Sequence, residues 1–336
     1  MEALPLPASA QTPMRVLTVA GSDSGGGAGM QADMRTLTLL GVHALVAVTA
    51  VTVQNSLGVK GFHAIPADVV AGQIESVVTD IGLQAAKTGF LASQSIIATV
   101  AGTWHDLGLS GVIPLVVDPV STSTRGEPLL PPSAVDVLRT ELFPLADLVT
   151  PNLDEVRLLV GIDVVDAGTR RAAARALHDL GPRWALVKGG HLRGSPTSLD
   201  LLYDGTEFHE FDAPRIATPH DHGAGDTLSA AIAAALAHGY PMPDAVAFGK
   251  AWVSECLRAA YPLGDGHGPV SALFQLSDVP SRDVQSRNVQ SRDVQSRNVQ
   301  SRDVQSRNVQ SRDVQSRNVQ SRDVQSRSAV NRESTC

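Results

Sequence analysis

The chain has 336 residues, 43% of them hydrophobic, with a net charge of −7 and two cysteines. That balance supplies no basic face for a nucleic-acid backbone. Cys256 and Cys336 offer neither a disulfide framework nor a paired-cysteine metal site, which fits a reducing cytosol and a cytoplasmic protein. From Asp278 onward eleven arginines face seven acids, so the remainder carries about −11. Met1 to Pro13 has no Lys or Arg and is interrupted by Pro5, Pro7 and Pro13, unlike a signal peptide. The longest apolar stretch, Leu37 to Val53, contains Gly41 and His43 and suits a buried strand better than a membrane span.

Strand-like and helix-like segments alternate along residues 15–275. Val16–Ala20 reads as a strand, followed by a glycine loop and a helix from Met30 to Leu40. Ala44–Val53 is β-branched and reads as one strand, and Ala67–Asp80 as a helix. Ala85–Gly89 reads as a short strand, Ser95–Leu107 as a helix, Ile113–Asp118 as a buried strand and Ser133–Leu142 as a helix. Asp147–Thr150 is strand-like, with helices over Leu153–Val160 and Arg170–Leu180 and a strand over Trp184–Lys188. Leu199–Tyr203 and Glu207–Phe211 read as a hairpin around Asp204-Gly205, and helices over Gly225–Ala237 and Asp244–Ala260 complete the unit. This rhythm predicts an α/β fold with a mostly parallel sheet and helices on both faces. Ligands then bind at the carboxyl ends of the strands.

Three regions are expected: a flexible N-terminus over residues 1–14, one folded domain over 15–275, and a disordered tail over 276–336. Ser281 to Gln325 is nine tandem copies of Ser-Arg-[Asp/Asn]-Val-Gln. A five-residue period turns successive valines about 140° round a helix and onto opposite faces of a strand, so no apolar stripe forms. One valine in five residues buries too little to fold.

Two glycine-rich loops carry the chemistry. Gly21-Ser-Asp-Ser-Gly-Gly-Gly-Ala-Gly29 follows a strand and precedes a helix, but it does not fit G-x-G-x-x-G and lacks the Gly-Lys-[Ser/Thr] of a phosphate loop. Its glycines suit either a tight turn or close approach of backbone to a small planar ligand. His222-Gly-Ala-Gly-Asp226 opens the small-residue run Thr227–Leu236. A helix start presents unpaired N–H groups and partial positive charge, which suit a phosphate or a developing anion. Asp226 there either caps the helix or takes a proton from a hydroxyl about to be phosphorylated.

The segment Ala20-Gly-Ser-Asp-Ser-Gly-Gly-Gly-Ala-Gly-Met-Gln-Ala-Asp33 resembles the opening signature of the hydroxymethylpyrimidine and phosphomethylpyrimidine kinases of thiamine biosynthesis, a branch of the ribokinase-like superfamily. Thr49–Gly58, Val116–Val120, Thr150–Glu155, Leu186–His191, Asp200–Asp204, His222–Asp226 and Gly266–Pro269 continue the resemblance in the family's order. It covers Arg15 to Val270 and leaves the tail outside.

The resemblance implies a three-layer α/β/α kinase that takes ATP, Mg²⁺ and a small pyrimidine; charge and the apolar pattern argue against a nucleic-acid or membrane partner. It is compatible with a homodimer, which no residue here specifies. Asp226 is implied as the base, with the Gly223, Ala224 and Gly225 amides and Lys188 around the transferred phosphoryl group. Gln54 matches the family's pyrimidine-reading amide, whose paired donor and acceptor suit an aminopyrimidine edge. Asp33, Gly21, Asp23 and Phe90 are implied at the same pocket, Asp33 being equally explicable as a first-turn helix acid. Asn152 and Glu155 form the Asn-x-x-Glu motif used around nucleotide phosphate and magnesium, with Asp118 adding charge to the cation site, through water. A capping pair is the plainer reading of Asn152 and Glu155. Many family members carry cysteine where this chain has Asp226, whereas aspartate is usual across the superfamily. Phe90 replaces a common methionine, and Ser121–Arg125 also departs from the family pattern. A pyridoxal or pyridoxine kinase and a non-catalytic pyrimidine sensor are the competing readings.

Overall fold

The computed structural model describes residues 3–122, 129–190 and 196–277. The repeat tail, His191 and residues 123–125 of the divergent run lie outside the described residues. All described residues fall within the unit Met1–Arg282.

A sheet of eight strands forms the middle layer. From one edge, β2 (His43–Val48), β1 (Arg15–Ala20), β5 (Ala85–Thr88), β6 (Leu115–Val117), β7 (Leu148–Val149) and β8 (Trp184–Val187) run parallel. β9 (Thr197–Tyr203) and β10 (Phe208–Pro214) then add the expected antiparallel hairpin. Apart from Thr18, Lys87 and Thr88, the buried residues of the parallel strands are apolar on both faces, as strands covered on two sides should be. Leu17, Val19, Val117, Val149 and Val187 enter one core; Val16, Val116, Leu148 and Leu186 enter the other.

The first core is covered by α2 (Ala67–Asp80), α3 (Gln94–Asp106), α4 (Pro132–Val137), α5 (Leu153–Val160) and α6 (Ala167–His178). The second is covered by α1 (Gly29–Leu39), α7 (Ala224–Ala237) and α8 (Met242–Arg258), with α9 (Phe274–Ser277) closing the described chain. The predicted three-layer α/β/α arrangement is therefore present. The N-terminal segment expected to be flexible instead buries Leu4 in the second core and lays Leu6 against Gly41.

One predicted strand divides. Ala44–Val53 breaks at Thr49, whose N–H still donates to Ala20 O while its hydroxyl donates to Phe90 O at 2.6 Å. Beyond the break, β3 (Ala50–Asn55) leaves the sheet and pairs antiparallel with β4 (Gly58–Ala64), a strand the sequence reading passed over because it is polar and glycine-containing. This two-stranded flap is laced to the glycine loop: Thr52 Oγ1 donates to Ser22 O at 2.7 Å and Gln54 N donates to Ser24 Oγ at 2.9 Å. Its backbone groups thus find partners on both sides, which is why the chain departs from the main sheet.

α7 is buried on almost every side because it lies between the sheet and α8, and its alanines permit that close packing. At the crossing, a Cβ on Gly249 would stand 2.6 Å from Ile232 Cγ1 and 3.2 Å from Leu228 O. Gly249→Val is therefore expected to destabilise the fold by about 1–3 kcal/mol. A lowered urea midpoint at unchanged m-value would show it.

Candidate active site

The carboxyl ends of β1, β5, β6, β7 and β8 face one cleft of about 570 Å³. β1 has β2 on one side and β5 on the other, so strand order reverses there, where a doubly wound sheet opens a crevice. Gly21, Gln54, Phe90, Asp118, Lys188 and Asp226 all line it.

The start of α7 opens into the cleft. Its N-cap is Gly223, at φ 79°, and no side chain caps it. A Cβ there would stand 2.1 Å from Gly27 O, so glycine is required where the two loops meet. The Ala224 N–H donates to Asp221 O at 3.1 Å, which turns one of the three expected anion-binding amides inward. The amides of Gly225 and Asp226 stand in the first turn, where an α-helix supplies no internal acceptor.

Asp226 does not cap its own helix. Its Oδ2 accepts the N–H of Gly29, at the start of α1, at 3.1 Å, and its Oδ1 lies 3.5 Å from Lys87 Nζ. Lys87 belongs to no motif in the sequence. The available signal was a lysine inside a short apolar strand. Its side chain and that of Asp33 are both 0% exposed, with Nζ 2.9 Å from Asp33 Oδ1. Thr18 Oγ1 donates to the other oxygen at 2.6 Å. Burial pulls the Lys87 pKa down, but Asp33, Asp226 and Asp118 more than reverse this and hold it above the ordinary lysine value. Burial pushes Asp33 up to about 7 against the opposing charge of Lys87. Asp33, expected at the pyrimidine pocket, is thus a buried partner of Lys87 and does not form the cleft wall. α1 turns its side chain under the sheet end, where Lys87 needs a counter-charge.

Along the cleft, Lys188 Nζ donates to Asp118 Oδ1 at 2.9 Å, and Thr150 Oγ1 donates to the same oxygen at 3.0 Å. Burial raises the Asp118 pKa, but Lys188 and Lys87 outweigh it and leave the group below the usual carboxylate range. Asn152 and Glu155 form a capping box at the start of α5, with Asn152 N donating to Glu155 Oε2 at 2.8 Å and Glu155 N to Asn152 Oδ1 at 2.9 Å. The plainer reading of this motif therefore holds, and the same two residues also line the cleft. Burial pushes Glu155 up to about 7, with Lys188 opposing and Asp118 reinforcing the rise.

At the flap end, Asp23 organises the first glycine loop. Oδ1 accepts Gly25 N–H at 2.8 Å, and Oδ2 accepts Gly27 and Ala28 N–H, each at 2.9 Å. His222 Nε2 lies 2.9 Å from Oδ2. Asp23 borders the cleft, as expected of a pocket residue, but its carboxylate serves the loop and His222. A Cβ on Gly27 would stand 2.5 Å from His222 Cδ2, and one on Gly29 would stand 2.5 Å from Gly21 O. These glycines admit other parts of the chain rather than a ligand. Phe90 packs edge-on against Phe62 of the flap, ring centroids 5.1 Å apart, and Gly21 N–H donates to its carbonyl. Phe62 carries no signal in the sequence, because the polar, glycine-containing β4 has no strand pattern of its own.

Residues 23–271 match the family described as phosphomethylpyrimidine kinase. The chain belongs to that family. A Mycobacterium tuberculosis hydroxymethylpyrimidine/phosphomethylpyrimidine kinase is 71% identical over 82% of this chain and 100% of its own length. A Streptomyces coelicolor protein of the same name is 50% identical over 80% of this chain and 97% of its own. Among solved structures, an ADP complex of Bacillus subtilis pyridoxal kinase superposes with a TM-score of 0.72 at 32% identity, covering 79% of this chain and 100% of that one. The chain is thus a ribokinase-like phosphotransferase.

Among the described residues of this kinase, no group of three or more His, Cys, Asp or Glu side chains could cage a metal ion. Asp118 already accepts from Lys188 and Thr150, and Glu155 from the backbone amide of Asn152. This donor set would fit a hydrated magnesium ion and not a directly caged one.

Lys87→Met would leave Asp33 buried without its counter-charge and is expected to cost about 3–5 kcal/mol. Lys87→Met combined with Asp33→Asn should recover most of it, both read from urea denaturation. For Glu155, the folded state holds its proton more tightly between the unfolded value of 4.5 and about 7. That contribution to stability is complete below the window and lost as pH rises through it. The urea midpoint should therefore fall further between about pH 5 and about pH 8 in the wild type than in Glu155→Gln.

Proposed function

We propose that this kinase transfers the γ-phosphoryl group of ATP to the hydroxymethyl oxygen of 4-amino-5-hydroxymethyl-2-methylpyrimidine, and then phosphorylates the monophosphate to the diphosphate. The observation that carries this reading is the carboxylate of Asp226, held by Gly29 and Lys87 beside the uncapped first turn of α7. In the transfer, the substrate oxygen bonds to the γ-phosphorus as the bond to the β–γ bridging oxygen breaks. Asp226 accepts the hydroxyl proton, and ADP departs with the electron pair. The amides of Gly225 and Asp226 meet the charge on the equatorial oxygens, and Lys188 supplies a point charge. Asp118 and Glu155 would hold a nucleotide-bound magnesium ion, which would supply charge neutralisation at the phosphates. Gln54, Gly21 and Phe90 border the ring end of the cleft, and the flap hairpin shields it from water.

Relatives at 71% identity bear the pyrimidine kinase name, which supports that substrate over pyridoxal, the substrate named for structural neighbours at 32–33% identity. The presence of Asp226, Lys188, Asp118 and Glu155 in one cleft supports turnover over a purely sensory role.

ATP consumption measured with the pyrimidine, its monophosphate and pyridoxal as separate acceptors tests the proposal. Turnover of both pyrimidines is expected, and Asp226→Asn should lower kcat by about 10²- to 10⁴-fold. Phosphorylation of pyridoxal alone would overturn the substrate assignment, and binding without turnover would favour the sensor.

A further inference from the structure

Among the described residues, His222 stands between two groups that make opposite demands on one nitrogen. Its Nε2 lies 2.9 Å from Asp23 Oδ2, and the amide nitrogen of Gln54 lies 3.3 Å from the same Nε2. Asp23 is buried and already accepts three backbone N–H groups. Burial raises its pKa, but the bonds from His222, Gly25 and Ala28 outweigh this and hold it below the usual carboxylate range. An ionised carboxylate only accepts, so the imidazole nitrogen facing it carries the proton. That N–H cannot also accept from an amide NH₂. Amide oxygen and nitrogen differ little in size, so their orientation is decided by hydrogen-bond logic. The imidazole has little freedom to escape the conflict, because its Cδ2 lies over the bare α-carbon of Gly27 and its backbone bridges to Pro269.

We propose that Asp23 and His222 are positioning residues for Gln54: the one Nε2 hydrogen, shared between Asp23 Oδ2 and the Gln54 amide oxygen, holds that oxygen toward the imidazole and turns the NH₂ group into the cleft, where it donates to a ring nitrogen of the substrate. The oxygen keeps a second lone pair for an exocyclic amine on the same edge. The inference rests on the pyrimidine kinase reading of the cleft, and it explains why the second glycine loop begins with a histidine. It also gives Gly27 a role: any side chain there would push the imidazole off its acceptor.

Long-range ¹H–¹⁵N NMR of the unliganded, full-length protein reads the His222 tautomer directly. A protonated Nε2 is expected; a bare Nε2 would overturn the proposal whatever the enzyme's substrate. Kinetics supply the second test. Gln54→Glu still accepts from His222 but presents an acceptor to the ring, so KM for the hydroxymethylpyrimidine should rise at least about tenfold, with KM for ATP unchanged. Unaltered pyrimidine KM in Gln54→Glu would sink the donor assignment. His222→Gln, which restores an N–H near the same place, should bind the pyrimidine more tightly than His222→Phe. Equal KM values in those two variants would remove His222 from the role. Failure of the wild type to phosphorylate the pyrimidine while Nε2 is protonated would strike the proposed function and leave the His222–Gln54 geometry standing.

Discussion

A lysine ammonium withdrawn completely from water is costly unless carboxylates surround it, and that requirement organises this kinase. Desolvating a single ion costs several kcal/mol, and only close partners with good geometry compensate. Lys87 meets the condition with Asp33 from α1 and Asp226 from α7, and Asp118 after β6 adds its field. These groups come from distant parts of the chain. The ammonium therefore ties the first glycine loop, the second glycine loop and the middle of the sheet to one point. Any displacement of α7 that moved Asp226 would also unbalance the charge beneath it.

The cleft repeats this device with different partners. Asp118 gathers Lys188 and Thr150, while Asp23 gathers three loop amides and His222. Each carboxylate is buried, and each is satisfied by donors from at least two segments. These groups lining the cleft are thus held before any ligand arrives, as the proposed phosphoryl transfer by positioning requires. Asp226 differs in retaining some exposure, with 14% of its side chain accessible, in keeping with the role proposed for it as acceptor of a hydroxyl proton.

Much of the scaffold was legible in the sequence because its signals are local. The apolar β-branched runs, the capping pair at Asn152 and Glu155, and the alanine-rich helix after Asp226 each announce an element without help from the rest of the chain. The flap was not legible. Gly58–Ala64 has neither a strong strand composition nor an apolar face, and it is a strand because β3 offers it a partner. The break at Thr49 likewise depends on Ala20, Phe90 and the serines of the glycine loop, from which the β-branched run 44–53 gives no sign.

Residue type and order by themselves determined the three-layer α/β/α architecture, the cleft at the strand ends, and the placement of Gln54, Asp118, Lys188 and Asp226 around it. Periodicity and glycine placement are short-range properties that a linear chain displays in full. Only the tertiary structure decided what each charge faces. It took Asp33 out of the pocket and placed Lys87 beneath Asp226. It turned the Ala224 amide inward and joined Asp23 to His222 across 199 positions of sequence. The reason is physical: a buried charge is tolerable only beside its complement, and that complement is chosen by distance in space.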